Sequence, residues 1–184
     1  MRKLVSYTMV SLDGYYEGPN GELDWANVDA EYFEFANRQD ASIDTLLFGR
    51  AGYEHMAAFW SVTTDSDPGI TRFMNETPKV VVSSTLDKAE WRNSTLADGD
   101  LGETVRELKR RPGNEIALFG SVKLTTSLLE LDLVDELRVM VNPILLGGGV
   151  SLFASLGRRR KLQLCRTTTF QSGNVLLTYR PLTA

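Results

Sequence analysis

Asp44-Thr45-Leu46-Leu47-Phe48-Gly49-Arg50 is an apolar run that ends on glycine and passes straight into a helical pattern at Ala51-Gly52-Tyr53-Glu54. The same order recurs at Glu115-Ile116-Ala117-Leu118-Phe119-Gly120-Ser121, followed by Val122-Lys123-Leu124. A strand that turns on glycine into a helix leaves backbone N–H groups free at the turn, at the positive end of the helix dipole. Phosphate binds readily at such a place. Two such turns predict a two-pronged cradle for a nucleotide with more than one phosphate.

Outward from these units, strands and helices alternate. Leu4 to Leu12 reads as a strand, with Val5, Tyr7 and Met9 alternating with smaller or polar residues, and it ends at the turn dipeptide Asp13-Gly14. Asp29 is placed to cap a helix carrying Tyr32, Phe35 and Ala36 on one face. Residues 61 to 71, with Asp67-Pro68-Gly69, read as a surface loop. Lys79 to Ser83 is a short β-branched strand closing in Ser83-Ser84-Thr85, and a second loop surrounds Trp91-Arg92-Asn93. A polar helix is expected from Gly102 to Arg111 and a strand from Glu136 to Asn142. Gly147-Gly148-Gly149 follows, able to admit either a ligand or another backbone. The chain closes with a hairpin of Leu162 to Phe170 and Asn174 to Tyr179 across Ser172-Gly173. This order predicts one α/β domain over residues 1–184, with helices on both faces of the sheet and antiparallel strands at its end.

The bulk properties narrow the function. The 184 residues are 42% hydrophobic and 24% charged, ordinary values for a globular domain, and the net charge of −4 gives no reason to expect nucleic acid or anionic lipid as a partner. The single cysteine, Cys165, alternates within a strand pattern and is expected to be buried and unreactive. The single histidine, His55, has no second ligand spaced around it, so no metal site is expected. The apolar stretch after Met1-Arg2-Lys3 is broken by Ser6, Thr8, Ser11 and Asp13, which suits a strand and neither a signal peptide nor a membrane span. The cytoplasm is the expected compartment.

Neither G-x-G-x-x-G after the first strand nor G-x-x-x-x-G-K-[ST] occurs, so a nucleotide site has to be built from the two glycine turns. Arg50 opposes the dipole of its own helix unless an anion sits there. Ser121 reads first as a helix N-cap, its hydroxyl equally placed for a phosphate. Ser83 and Ser84 close a strand where an open α/β sheet forms its ligand crevice; a simple Ser/Thr turn is the alternative. The acids available for proton transfer are Asp13, in a turn, and Asp24, beside the aromatic wall of Trp25. No Ser-His-Asp or Cys-His arrangement exists, which leaves hydride transfer as the chemistry that fits best.

Ser11-Leu12-Asp13-Gly14, Leu23-Asp24-Trp25, Leu47-Phe48-Gly49-Arg50 with Tyr53-Glu54, Val82-Ser83, Phe119-Gly120-Ser121, Leu133-Val134-Asp135-Glu136-Leu137 and Pro143-Ile144-Leu145-Leu146-Gly147-x-Gly149 with Leu152-Phe153 together resemble the dihydrofolate-reductase-like proteins. More narrowly, they are similar to the bacterial group related to the reductase domain of the bifunctional riboflavin-biosynthesis deaminase-reductase. The resemblance implies a three-layer αβα fold with a mixed, mostly parallel sheet, an NADPH-dependent oxidoreductase and often a homodimer. It implies cofactor phosphates at Gly49, Arg50, Ala51 and Gly52 and at Gly120, Ser121, Val122 and Lys123, with the adenosine 2′-phosphate at Arg50, Ser83 and Ser84. Asp24 and Asp13 stand as the catalytic candidates, and Ser11 and Trp25 as substrate contacts. The implied substrate is a small planar heterocycle, either an aminopyrimidine such as 5-amino-6-(5-phosphoribosylamino)uracil or a pterin-like molecule. The alternative is a non-catalytic NADP(H)-binding or sensing protein. Two positions depart from the pattern: Gly52 stands where the family usually has Thr, and Tyr15 where riboflavin-pathway reductases usually carry Lys or Arg.

Overall fold

The strand that leads into the first glycine turn is apolar on both sides: Leu46, Leu47 and Phe48 are all fully buried. Successive strand residues point to opposite faces, so such a segment requires a layer of helices on each side. In the computed structural model, which describes residues 1–182 apart from Asp65 and Asp98 and only the backbone of Asp40, that arrangement is found. The strands are β1 (Leu4–Ser11), β2 (Tyr15–Glu17), β3 (Ile43–Gly49), β4 (Lys79–Val82), β5 (Ser94–Ala97), β6 (Glu115–Phe119), β7 (Glu136–Asn142), β8 (Val150–Ser151), β9 (Leu162–Thr169) and β10 (Val175–Pro181). The helices are α1 (Ala30–Asp40), α2 (Arg50–Trp60), α3 (Pro68–Glu76), α4 (Leu101–Arg110) and α5 (Val122–Glu130). Eight strands form one sheet in the order β5-β4-β3-β6-β1-β7-β10-β9. Neighbours pair parallel except at β10, which is antiparallel to both β7 and β9. The predicted mixed, mostly parallel three-layer αβα fold with a C-terminal hairpin is the fold observed.

Alternation along β3 and β6 sorts the core. Leu47, Ile116 and Leu118 pack on one face with Val105 and Leu108 of α4 and Leu124, Leu128 and Leu129 of α5. Leu46, Phe48 and Ala117 pack on the other with Tyr53 of α2 and Ile70 and Met74 of α3, and α1 joins through Phe33 and Ala36. The Asp135 carboxylate explains part of the Leu-Val-Asp-Glu-Leu motif: it accepts the Leu4 N–H at 2.7 Å and Lys109 Nζ at 2.5 Å, tying β1 to α4.

Four local expectations are corrected. The loop expected over 61–71, which contains Asp65 outside the described residues, gives way to α3 at Pro68. Asp67 accepts the Ile70 N–H there and Pro68 stands in the first turn, so a triplet that reads as a turn is a helix start. The stretch after Trp91 contains β5, a short polar edge strand without apolar alternation. Tyr15–Glu17, just after the Asp13-Gly14 turn, and Val150–Ser151, just after the triple glycine, pair as a small antiparallel ribbon, β2 with β8. Cys165 is exposed, because β9 is the outermost strand and all its residues but the half-buried Thr168 are open to solvent. No helix among the described residues is long and apolar enough to cross a membrane.

Lys79 is 1% exposed and donates to the carbonyls of Asn75, Thr77 and Arg92 with its amine 4.4 Å over the Trp91 ring. Burial, with a smaller contribution from the Arg92 charge, pulls its pKa down to about 8. An unfolded lysine titrates near ~10.4. Between those values the unfolded chain holds a proton that the folded chain has released, so stability rises with pH across the interval. Lys79→Met should abolish this rise. Urea unfolding from pH 7.5 to 10 is expected to show the wild type gaining on the variant; a pH-independent difference would contradict the assignment.

Candidate active site

Strands β3 and β6 are parallel neighbours, with Leu46 opposite Ala117 and Leu47 opposite Leu118, so their carboxyl ends emerge together. A Cβ on Gly52 would lie 3.8 Å from Cβ of Ser121, and one on Gly49 would lie 3.8 Å from Ser121 Oγ. The two glycine turns of the sequence are therefore one site.

The helix starts there differ from the others. α1, α3 and α4 are each capped by an aspartate, Asp29, Asp67 and Asp100, whose carboxylate accepts a first-turn N–H. α2 starts from Gly49 and α5 from Ser121, with no side-chain cap and no acid in the first turn of either. Ser121 does not perform the capping role its residue type suggested: at φ +50° its hydroxyl makes no cap bond. Gly120 beside it has φ +66°, a conformation that glycine adopts without penalty. Two helices thus begin side by side with donors that no carboxylate occupies, as a phosphate-bearing cofactor needs.

Arg50 belongs to the same site. Its Nε donates to Glu54 Oε1 at 2.9 Å, and its Nη1 donates to the carbonyl and hydroxyl oxygens of Thr85 at 3.2 and 3.0 Å. A cation at a helix N-terminus costs about 0.3–1 kcal/mol, and an exposed i,i+4 pair contributes about 0.3–0.5 kcal/mol. The two roughly cancel, which leaves the bonds to Thr85, tying the start of α2 to the 83–85 segment, as the local contribution of this arginine. The Ser83 hydroxyl accepts the N–H groups of Thr85 and Leu86 at 3.2 and 3.1 Å, folding the 83–85 segment into the turn that meets Arg50. Ser84, Ala51 and Lys123 are exposed around this turn and the two helix starts, while Gly52 and Val122 are half-buried.

Behind the second turn lies a cavity of about 230 Å³ between the sheet and α1, α2 and α3. Tyr7 and Met9 of β1, Phe119 of β6, Phe35 of α1, Trp60 of α2 and Phe73 of α3 line it. Trp25, expected as a substrate contact, is on its wall, held by its indole N–H donating to the Glu22 carbonyl at 2.9 Å. Leu23 and Ala26 line it as well, but Asp24 between them is exposed and outside the lining. Ser11 is buried in the turn, where its hydroxyl accepts the Tyr15 N–H at 2.9 Å. Asp13 accepts the N–H groups of Leu146 and Gly147 at 3.1 and 2.8 Å. Hydrogen bonding, chiefly with Ser11, holds its carboxyl below the usual range. The geometry therefore gives Asp13 a latching role, since an acid held ionised is a poor proton donor. Gly149 resolves the question left by the triple glycine: a Cβ there would fall 1.9 Å from the Glu17 carbonyl, so the close approach is to the backbone of β2.

Tyr16 was not legible in the sequence. It lines the cavity and also reaches the second turn, where its phenol oxygen accepts the Ser121 N–H and lies 2.6 Å from where a Gly120 Cβ would stand. Burial, then the Glu17 charge, raises the phenol's pKa against the lowering effect of the Ser121 bond, so it keeps its proton at neutral pH. Tyr16 and Gly120 are shared by the turn and the cavity.

Comparison with known proteins gives the chain's family and fold. The model of the RibD C-terminal domain family matches residues 2–176. The chain is 34% identical over 182 residues to the uncharacterized protein YyaP of Bacillus subtilis, covering 97% of this chain and 94% of that one. The bifunctional diaminohydroxyphosphoribosylaminopyrimidine deaminase/5-amino-6-(5-phosphoribosylamino)uracil reductase of Thermotoga maritima superposes with a TM-score of 0.71 at 16% identity, over 98% of this chain and 57% of that one. Dihydrofolate reductase of Enterococcus faecalis, complexed with NADP(H), superposes with a TM-score of 0.63 at 15% identity, over 97% and 96% of the two chains.

Gly120→Ala should force the left-handed turn on a residue with a side chain and displace the Tyr16 phenol. We expect a loss of about 1–2 kcal/mol in urea unfolding. A loss below about 0.5 kcal/mol would show that the turn relaxes freely.

Proposed function

The chain belongs to the reductase-like RibD C-terminal domain family, and on that premise we propose that it is an NADPH-dependent reductase of a small planar heterocycle. The observation that carries the reading is the pair of adjacent helix starts, both free of an acidic cap, opening next to an aromatic-walled cavity. When bound, NADPH supplies the hydride. The Gly49–Gly52 and Gly120–Lys123 turns would hold its phosphates through backbone N–H groups, with the Ser121 hydroxyl as a further donor. In the second turn those groups are the N–H of Val122 and Lys123, because the Gly120 N–H donates to the Tyr7 carbonyl and the Ser121 N–H to the Tyr16 phenol. Arg50, Ser83 and Ser84 would receive the 2′-phosphate, the guanidinium exchanging its Thr85 contacts for that anion. Trp25 walls the substrate side and excludes water. We assign proton delivery to Tyr16, protonated at neutral pH and standing where turn and cavity meet; Asp24, exposed beside Trp25, would act only through an intervening water.

Binding without turnover is the second reading, and one observation favours it: no Asp or Glu is among the described residues lining the cavity. NADPH oxidation across a panel of pterins and aminopyrimidines separates the two. We also propose a homodimer through the β9 edge, an eight-residue strand with one open side and with Leu162 and Leu164 exposed at 39% and 51%. Light scattering in solution reads this directly, and a monomer mass would contradict it.

Isothermal titration with NADPH and NADH tests the main reading. Arg50→Ala should weaken NADPH by roughly tenfold to a hundredfold, the loss of one charge-assisted hydrogen bond, and NADH far less. Equal losses would remove Arg50 from the 2′-phosphate, and no binding of either cofactor at millimolar concentration would end the reductase reading.

A further inference from the structure

The cavity wall is a run of aromatic and thioether side chains, among them Trp25, Phe35, Trp60, Phe73, Met74 and Phe119. Among the described lining residues there is no Asp, no Glu and no Lys, and the one cation is Arg138. That guanidinium is already occupied. Its Nε donates to Glu136 Oε1 at 2.7 Å, its Nη1 to Gln39 Oε1 at 2.9 Å, and its Nη2 to both oxygens of Glu115 at 3.2 and 3.1 Å. Two carboxylates therefore share the one cation of the lining, and Glu136 is also paired with the exposed Lys3 at 3.7 Å. An anion brought into this space would lose its hydration and meet only a guanidinium already committed to protein partners, which is unfavourable.

The volume sets a second limit. About 230 Å³ lies below the usual ~300–1,000 Å³ of pockets for drug-sized ligands, so the part of a ligand buried here is one or two rings. Aromatic walls favour a flat molecule, which can stack or meet ring edges. Polar groups able to orient it are concentrated where Tyr16 and Gly120 border the cavity.

Resting on the reductase reading, we propose that the substrate is an uncharged, flat, largely apolar molecule of one or two rings, without phosphate or carboxylate, its reducible C=O or C=N group lying toward Tyr16. This separates the chain from the phosphoribosyl substrate named for the Thermotoga maritima enzyme. A neighbouring polar cleft shares Phe35, Gln39 and Arg138 with the cavity and adds Arg38, Ser42, Arg166 and Thr168. An anionic tail reaching it would reverse the preference, so the test includes that route.

Trp25 and Trp60 both line the cavity and report its occupancy through their fluorescence. Quinoxaline, its 2-carboxylate and 5-amino-6-(5-phosphoribosylamino)uracil would be titrated into the protein with and without saturating NADPH, and NADPH binding itself measured separately by calorimetry. Quinoxaline is expected to bind at least tenfold more tightly than either anion, and Arg166→Ala should leave its affinity unchanged. Equal or tighter binding of either anion overturns the proposal, as does the absence of binding by quinoxaline at its solubility limit. Failure of NADPH to bind counts against the reductase reading alone, because the preference for the neutral ring is read in the cofactor-free titration as well.

Discussion

The parallel pairing of β3 with β6 is the constraint on which the rest of the structure depends. Both strands are buried on two faces, so helices must cover both sides of the sheet, and parallel pairing brings the two carboxyl ends to the same edge. The helices that follow must then start side by side. Once α2 and α5 begin from Gly49 and Ser121 without an acidic cap, a local concentration of backbone donors is unavoidable. In the other three helices an aspartate neutralises the same feature.

The cavity follows from the same layout. Odd-numbered residues of β1 face α1, and Tyr7, Met9, Phe119 and Arg138 present large side chains toward a helix layer that meets them through Phe35, Trp60 and Phe73. The layers do not close completely, and the gap opens at Gly120, on the donor-rich edge. Asp13 fastens the glycine loop through Leu146 and Gly147, and the β2–β8 ribbon holds Tyr16 over the turn. Two uncapped helix starts, an aromatic-walled cavity and the Tyr16 phenol thus meet at one place, although the residues come from widely separated stretches of chain.

Much of this was legible because it rests on local chemistry. Apolar runs ending on glycine marked β3 and β6, Asp29 marked the start of α1, and Ser172-Gly173 marked the hairpin. What was missed depends on long-range contacts. Asp67-Pro68-Gly69 is equally a turn or a helix start until Ile70 finds a core to enter. Cys165 alternates like a buried residue, yet β9 receives no covering layer. Tyr16 follows a turn dipeptide with no periodic signal, and only the pairing of β2 with β8 brings it to Ser121. Asp24 beside Trp25 looked like an acid against an aromatic wall; the indole lines the cavity while the carboxylate is exposed.

A crystal structure of the protein grown with NADPH tests the central claim most directly. The account predicts the pyrophosphate between the N–H groups of residues 50–52 and 122–123, the 2′-phosphate on Arg50, and the nicotinamide at the Tyr16–Gly120 end of the cavity. A dinucleotide bound elsewhere, or one whose phosphates avoid both glycine turns, would contradict it.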